Sequence, residues 1–342
     1  MLVDTDTTND TYKTESYREC TDAQGQTEKE VINKQMTMVM KKEQDKVKLR
    51  GILRSNEPLS RHTTWRVGGV VRSFYQPYDL DDLLTYLKRV PADDEIYWIG
   101  LGSNLLVRDA GIDGTVICLS GVLKEHHFLE NNRLYIESGM ACPKVARLCA
   151  RQGLSGAEFL CGIPGTLGGA LAMNAGAFGG ETWDIVESVK MVDREGGVTT
   201  YTPDKFKISY RHVEIPAEKW FVSAVLRLQK GDAGTSQQTI KNLLAKRSGT
   251  QPTQQANAGS VFRNPAGDYA ARLIESCGLK GMCIGGACVS DKHANFIVNT
   301  GAATAADIEN LITHVQSVVE QESGVVLQTE VHIIGQHEKE NA

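Results

Sequence analysis

The residues whose types and spacing most plainly suit a ligand are Gly162-Ile163-Pro164-Gly165-Thr166-Leu167-Gly168-Gly169-Ala170, running on through Asn174-Ala175-Gly176-Ala177-Phe178-Gly179-Gly180. No charged side chain interrupts them. Glycine lets main chain approach a ligand closely and turn its N–H groups toward it. Successive amides aimed one way form a concavity that attracts an anion, usually a phosphate. Residues 166–173 can form a short helix whose N-terminal dipole adds to that attraction. A tightly packed turn between two elements accounts for the same residues equally well. The stretch has no Gly-Lys-Ser/Thr ending, so it is not a Walker loop. A second glycine loop, Gly100-Leu101-Gly102-Ser103-Asn104-Leu105-Leu106-Val107, follows a strand-like run at 96–99. Its Gly-x-Gly-x-x-Leu pattern fails the Rossmann fingerprint at the third glycine. Two phosphate-suited loops in one chain fit a dinucleotide, and neither is the usual NAD kind.

Other stretches join these two: Thr63-Thr64-Trp65-Arg66-Val67-Gly68-Gly69, Ser209-Tyr210-Arg211, Gly259-Ser260-Val261-Phe262-Arg263-Asn264-Pro265 and Glu330-Val331-His332-Ile333-Ile334-Gly335. In this order they resemble the UDP-N-acetylenolpyruvoylglucosamine reductase family, flavoenzymes of peptidoglycan precursor synthesis also called UDP-N-acetylmuramate dehydrogenases. The resemblance covers about residues 50–335. It implies an α+β fold, with a two-part FAD-binding region of the vanillyl-alcohol-oxidase/PCMH type and a C-terminal α+β substrate-binding domain. It implies FAD as cofactor, and NADPH and UDP-N-acetylglucosamine enolpyruvate as substrates. The expected FAD contacts are Arg66, Gly100, Gly102, Ser103, Asn104, Gly162, Ile163, Pro164, Gly165, Thr166, Gly168, Gly169, Ala170, Asn174 and Gly176. The expected substrate contacts are Tyr210, Arg247, Asn264 and Lys280. Only a short stretch separates Leu228 from the next helical pattern, so the chain resembles the shorter type of this family, which lacks an inserted substrate-covering segment.

The same resemblance implies Ser260 as proton donor, with Arg211 and Glu330 at the substrate carboxylate. Reducing a carbon–carbon double bond beside a carboxylate needs a hydride for one carbon and a proton for the other. A serine hydroxyl is a weak acid, suited to a strongly basic enolate, although a loop serine capping local backbone is the plainer use of that residue. No Gly-x-Ser-x-Gly elbow surrounds it, which argues against a hydrolase nucleophile. The planar fork of Arg211 can grip a carboxylate; a solvated surface arginine is the alternative. A carboxylate near the substrate's own is repulsive unless protonated or bridged by a cation. Glu330 is therefore expected either to hold a proton or to lie against Arg211. His332 departs from the Arg or Lys that many members carry there. Asn264 also reads as a turn residue before Pro265, Lys280 as a surface lysine, and Lys246 and Arg247 as a basic helix end. Another FAD oxidoreductase on the same fold, or a silent flavin-binding protein, shares the glycine loops without needing Ser260, Arg211 and Glu330.

Composition bounds these readings. The chain of 342 residues has room for two or three domains. Its net charge of -5 argues against nucleic acid as a partner. No apolar run approaches a membrane span, and no signal peptide is evident at the N-terminus. None of the cysteines, Cys20, Cys118, Cys142, Cys149, Cys161, Cys277, Cys283 and Cys288, forms a Cys-x-x-Cys pair. They are read as buried reduced thiols of a cytoplasmic protein, with no metal expected. A monomer is favoured.

The elements that must position these residues follow from periodicity. Residues 1–47 are polar and nearly free of aromatics, which reads as a disordered tail. FAD-binding subdomains are expected at 48–118 and 119–230, and the substrate domain at 231–342. Helices are expected at 79–87, 143–152, 239–247, 269–276 and 304–323, the last with Thr304 and Asp307 as a capping box and Gly324 as its stop. Strands are expected at 96–99, 115–119, 134–138 and 220–228, with a hairpin across 186–201 and a long alternating strand at 325–334. The polar run 231–236 reads as a domain boundary.

Overall fold

The computed structural model describes residues 48–337, so the expected tail lies outside the described residues. By compactness the chain divides after Lys48, and the second unit begins at Leu49. The first sheet of this second unit holds β1 (Ile52–Pro58), β2 (Val70–Gln76), β3 (Ile96–Ile99) and, after the short β4 (Leu105–Val107), β5 (Ile112–Cys118). The strand order is β1-β2-β5-β3. β5 pairs parallel with β2 and β3, and β1 is antiparallel to β2. Parallel strands need a crossover, supplied between β2 and β3 by helix α1 (Leu80–Leu87). It begins as the sequence indicates: the Asp79 carboxylate accepts the Asp82 N–H at 2.9 Å, and Leu83 and Leu87 bury one face.

The second layer starts with β6 (His126–Leu129) and β7 (Arg133–Glu137) and passes through α2 (Cys142–Arg151) and α3 (Leu167–Ala172). Two-residue strands follow, β8 (Gly176–Ala177) and β9 (Gly180–Glu181), then the hairpin β10 (Val186–Asp193) and β11 (Val198–Tyr201). A smaller hairpin, β12 (Ile208–Ser209) and β13 (His212–Val213), precedes β14 (Lys219–Arg227). The sheet is antiparallel in the order β11-β10-β14-β7-β6. α2 buries Val145, Ala146, Cys149 and Ala150, a helical stripe that packs with Leu134, Ile136, Leu167 and Leu226.

Here one expectation changes. The run 231–236 is not an irregular linker but leads into an 18-residue helix, α4 (Ala233–Thr250), capped by Asp232, whose carboxylate accepts the Thr235 N–H. Ile240, Leu243 and Leu244 join the core around α2. The glycine and serine that suggested a break are tolerated because the cap lies immediately before them.

The remaining residues form the sheet β15 (Ala256–Asn257), β16 (Cys283–Ile284), β17 (Ala287–Val289) and β18 (Ile297–Asn299), with α5 (Ala270–Ser276) and α6 (Ala305–Ser323). α6 carries the expected capping box between Thr304 and Asp307, and Gly324 ends it at φ 70°. Ile308, Leu311, Ile312, Val315 and Val319 form its buried face. The strand expected at 325–334 is shorter, only β19 (His332–Ile334), which pairs parallel with β4. Before it, backbone groups bond to the Ser260 loop instead: Arg263 N–H to Gln328 O and Glu330 N–H to Val261 O. The reading of every cysteine as a reduced thiol is also corrected. Cys283 and Cys288, directly opposed on β16 and β17, form a disulfide. Cys118, Cys142, Cys149 and Cys161 are free and buried, Cys277 is free and half-buried, and Cys20 lies outside the described residues. Among the described residues no helix is long and apolar enough to cross a membrane.

Candidate active site

The loop leaving β3 and the loop entering α3, distant in sequence, lie against each other. A Cβ on Gly100 would stand 2.3 Å from Thr166 Oγ1. One on Gly102, whose φ is +61°, would stand 2.0 Å from the His62 carbonyl oxygen. Only glycine lets these chains approach so closely. Thr166 is the N-cap of α3, accepting the Gly169 N–H through its hydroxyl. Ser138, fully buried, accepts the Gly168 N–H on its carbonyl at 2.8 Å, while its own hydroxyl has no hydrogen-bond partner among the described residues. An orphaned hydroxyl beside a concave glycine run suits an oxygen-rich ligand, because buried polar groups are otherwise paired.

A groove of about 310 Å³ adjoins this cradle. Ser103, Asn104, Gly162, Ile163, Pro164 and Gly176 line it together with Tyr210, Arg211, Arg247, Ser260, Asn264 and Glu330. Residues from all three parts of the sequence therefore meet in one place. A larger cavity, about 610 Å³, opens beside Arg50, Tyr78 and Glu137, but none of the site residues expected from sequence lines it.

Arg211 owes its place to backbone geometry. Ser209 pairs with His212, so Tyr210 and Arg211 are the turn of the β12–β13 hairpin. Arg211 adopts φ 54°, a left-handed conformation uncommon for a bulky residue. Its guanidinium donates to Gly176 O at 2.7 Å and Asn174 O at 3.4 Å. Its Nε lies 3.3 Å from Glu330 Oε1, and it sits over the Tyr210 ring at 4.8 Å. Of the two alternatives raised for Glu330, contact with Arg211 is the one the geometry contains. It lies against Arg211, and burial pushes its carboxyl above the ordinary value although Arg211 and Arg263 pull it down. The charge of Arg263 acts on both Glu330 and His332, beside the position where the sequence carries His332 rather than Arg or Lys.

Ser260 lines the groove in a loop whose C-terminal side is fastened. Asn295, buried, accepts the Phe262 N–H on Oδ1 at 2.9 Å and donates from Nδ2 to Phe262 O at 2.8 Å. The Asn295 carbonyl accepts the Val261 N–H, and the Val261 carbonyl accepts the Glu330 N–H at 2.8 Å. Asn104 ties the cradle to the segment that runs into β19, its side chain donating to Glu330 O at 3.0 Å and its carbonyl accepting the His332 N–H. Asn264 lines the groove while capping α5 through the Ala270 N–H. Arg247 reaches the groove from the last turn of α4, where burial lowers its guanidinium from its ordinary value. A nearby anion would offset that cost.

Three expected contacts stand apart. Asn174 is buried and does not line the groove, its amide donating to Glu181 and accepting the Trp183 N–H. Lys280 does not line the groove; its ammonium pairs with Glu275 at 2.7 Å. Arg66 is exposed, at φ 59°, and is not among the groove's walls. The sequence reading missed Asn295. Its signal is a polar residue flanked by apolar Ala294 and Phe296, where a buried hydrogen-bonding role is the natural explanation.

Residues 251–334 match the C-terminal domain of UDP-N-acetylenolpyruvoylglucosamine reductase, and residues 72–202 match an FAD binding domain. The reductase of that name from Legionella pneumophila (strain Corby) is 55% identical over 286 residues, covering 83% of this chain and 93% of that protein. The chain belongs to the UDP-N-acetylenolpyruvoylglucosamine reductase family. The Methylococcus capsulatus reductase is also 55% identical, over 287 residues. The crystal structure of the Thermus caldophilus reductase superposes with a TM-score of 0.72 at 31% identity, covering 83% of this chain and 98% of that one. The protein is thus an FAD-dependent oxidoreductase of peptidoglycan precursor synthesis, with the α+β fold of the UDP-N-acetylenolpyruvoylglucosamine reductases.

Proposed function

We propose that the protein uses NADPH to reduce UDP-N-acetylglucosamine enolpyruvate to UDP-N-acetylmuramate in the cytoplasm. The observation that carries this reading is the meeting of Ser260, Arg211 and Glu330 in one groove beside the glycine cradle. Bound FAD would supply the hydride chemistry, taking a hydride from NADPH and delivering it to the enolpyruvyl double bond. Gly100, Gly102, Ser103, Asn104 and Thr166, with Gly165, Gly168, Gly169 and Ala170, would hold its diphosphate. Gly162, Ile163, Pro164 and Gly176 would stand where cradle and groove join, with Asn174 supporting them from beneath through its carbonyl's bond to Arg211.

Hydride addition at the terminal carbon leaves negative charge on the carbon bearing the carboxylate and on the carboxylate oxygens. Arg211, fixed by the Gly176 and Asn174 carbonyls, is placed to hold that charge. Protonated Glu330 would donate a hydrogen bond to the same oxygens rather than repel them. Ser260 would give its hydroxyl proton to the carbon and regain one from water. Tyr210, Asn264 and Arg247 would contact the nucleotide-sugar, Arg247 at its diphosphate.

The packing of α4 on the second core supports setting the border of the substrate domain after Thr250 rather than at residue 231. The test is an anaerobic absorbance spectrum. NADPH should bleach the bound flavin, and the enolpyruvyl nucleotide-sugar should restore it, with UDP-N-acetylmuramate as product. Bleaching without recovery would favour another oxidoreductase on this fold.

A further inference from the structure

Arg211 is flanked by two acids, and the proposed mechanism uses only one. Glu181, on β9, places Oε1 3.7 Å from the guanidinium on its Nη1 side, while Glu330 faces Nε. Glu181 is itself held. Its Oε2 accepts the Asn174 Nδ2–H at 2.8 Å, and its backbone N–H donates to Asp184 Oδ2 at 2.9 Å. Asn174, at φ 48°, accepts the Trp183 N–H on Oδ1 and offers its carbonyl to Arg211. Space enforces the arrangement: a Cβ on Gly176 would stand 2.9 Å from Arg211 Nη1 and 3.1 Å from Glu181 Cγ.

We propose that Glu181 is a positioning residue whose carboxylate shares the charge of Arg211, leaving Glu330 as the acid that holds a proton when the substrate carboxylate enters. The inference rests on the proposed role of Arg211. Arg211 and Arg263 bring two positive charges against Glu181, Glu330 and an incoming carboxylate, so protonating one acid relieves the excess negative charge. Desolvation acts more on Glu330, whose side chain is 13% exposed, than on Glu181 at 33%. The charged and titratable groups around the two acids are Arg211, Arg263, His332 and Asp184. With Glu181 neutral, Arg211 would act on Glu330 alone and keep it ionised. Glu330 would then compete with the substrate for the guanidinium.

The test is the pH dependence of reduced-flavin reoxidation by the enolpyruvyl nucleotide-sugar, in the FAD-loaded enzyme and its Glu181→Gln and Glu181→Asp variants. The alkaline limb, assigned to Glu330 losing its proton, should move to lower pH in Glu181→Gln, because the guanidinium no longer shares its charge with a second carboxylate. Reoxidation at pH 8 should slow severalfold. Glu181→Asp should keep the limb near its original place. Flavin reduction by NADPH, which involves no substrate carboxylate, should be unchanged in both, a check that the fold is intact. A limb that stays put in Glu181→Gln overturns the proposal, as does a shift of equal size in Glu181→Asp. Arg211→Lys separates the two levels. If it reoxidises normally, the reading of Arg211 fails and this proposal with it. If it is crippled while Glu181→Gln keeps its limb, only the role of Glu181 fails.

Discussion

Replacing Gly100 by alanine tests the cradle at its tightest point. The added methyl would lie 2.3 Å from Thr166 Oγ1, 3.1 Å from Cγ2 and 3.2 Å from Cβ. Ordinary van der Waals contact needs the two loops to part by about 1 Å, and overpacking of this kind costs about 1–3 kcal/mol. The free protein can relax by letting the loops separate, whereas a diphosphate gripped from both sides cannot be held by parted loops. The strain should therefore fall on cofactor binding and weaken FAD by about 5- to 150-fold. Quenching of flavin fluorescence on titration into apoprotein reads this directly. Thr166→Ala removes Oγ1 and Cγ2 and loses the α3 cap, worth about 1 kcal/mol. In the double variant the clash is relieved, so the two effects should be clearly less than additive. Wild-type affinity in Gly100→Ala, or strict additivity in the double variant, would refute the closed-cradle account.

Arg211→Lys should lower turnover by about 10²-fold or more, because one ammonium cannot reproduce the fork and the buried Glu330 loses its pairing; turnover within a few-fold of wild type would place Arg211 elsewhere in the mechanism. Glu137 is buried and its carboxyl is pushed up, chiefly by burial. A raised folded value makes its stabilising contribution complete below the unfolded value, and lost as pH climbs through the folded one. The melting temperature of wild type relative to Glu137→Gln should therefore fall as pH rises above about 4.3, the unfolded glutamate value; a difference that is flat or grows as pH rises would contradict it. Cys283 and Cys288 should resist alkylation until a reductant is added, and mass spectrometry that finds both labelled beforehand would show a free dithiol.

How much of this was legible in the chain depends on how local the cause was. α1 and α6 begin and end where Asp79, Thr304, Asp307 and Gly324 indicate, because a cap is decided within one turn. α4 starts earlier than its apolar pattern suggests, since a single aspartate outweighs glycine and serine in the first turns. The strand expected at 325–334 failed for a non-local reason. Its alternation is real, with Leu327 and Val331 buried, but the backbone at Gln328 and Glu330 is claimed by the Ser260 loop. That capture brings Glu330 beside Arg211, and nothing near either residue in the sequence announces it. The disulfide depended likewise on a hairpin register that spacing alone does not give. The resemblance supplied the candidates; the left-handed turn at Arg211 and the clamp made by Asn295 explain why those residues converge.

The central claim is that Ser260 is the proton donor, and Ser260→Ala tests it most directly. Hydride transfer from NADPH to the flavin creates no enolate, so stopped-flow flavin reduction should keep its rate and spectrum. Reoxidation by the enolpyruvyl substrate should slow by about 10²–10⁴-fold with substrate binding little changed, and Ser260→Cys should recover part of the rate. If Ser260→Ala slows both half-reactions alike, or neither, the proton comes from another group and the proposed mechanism is wrong.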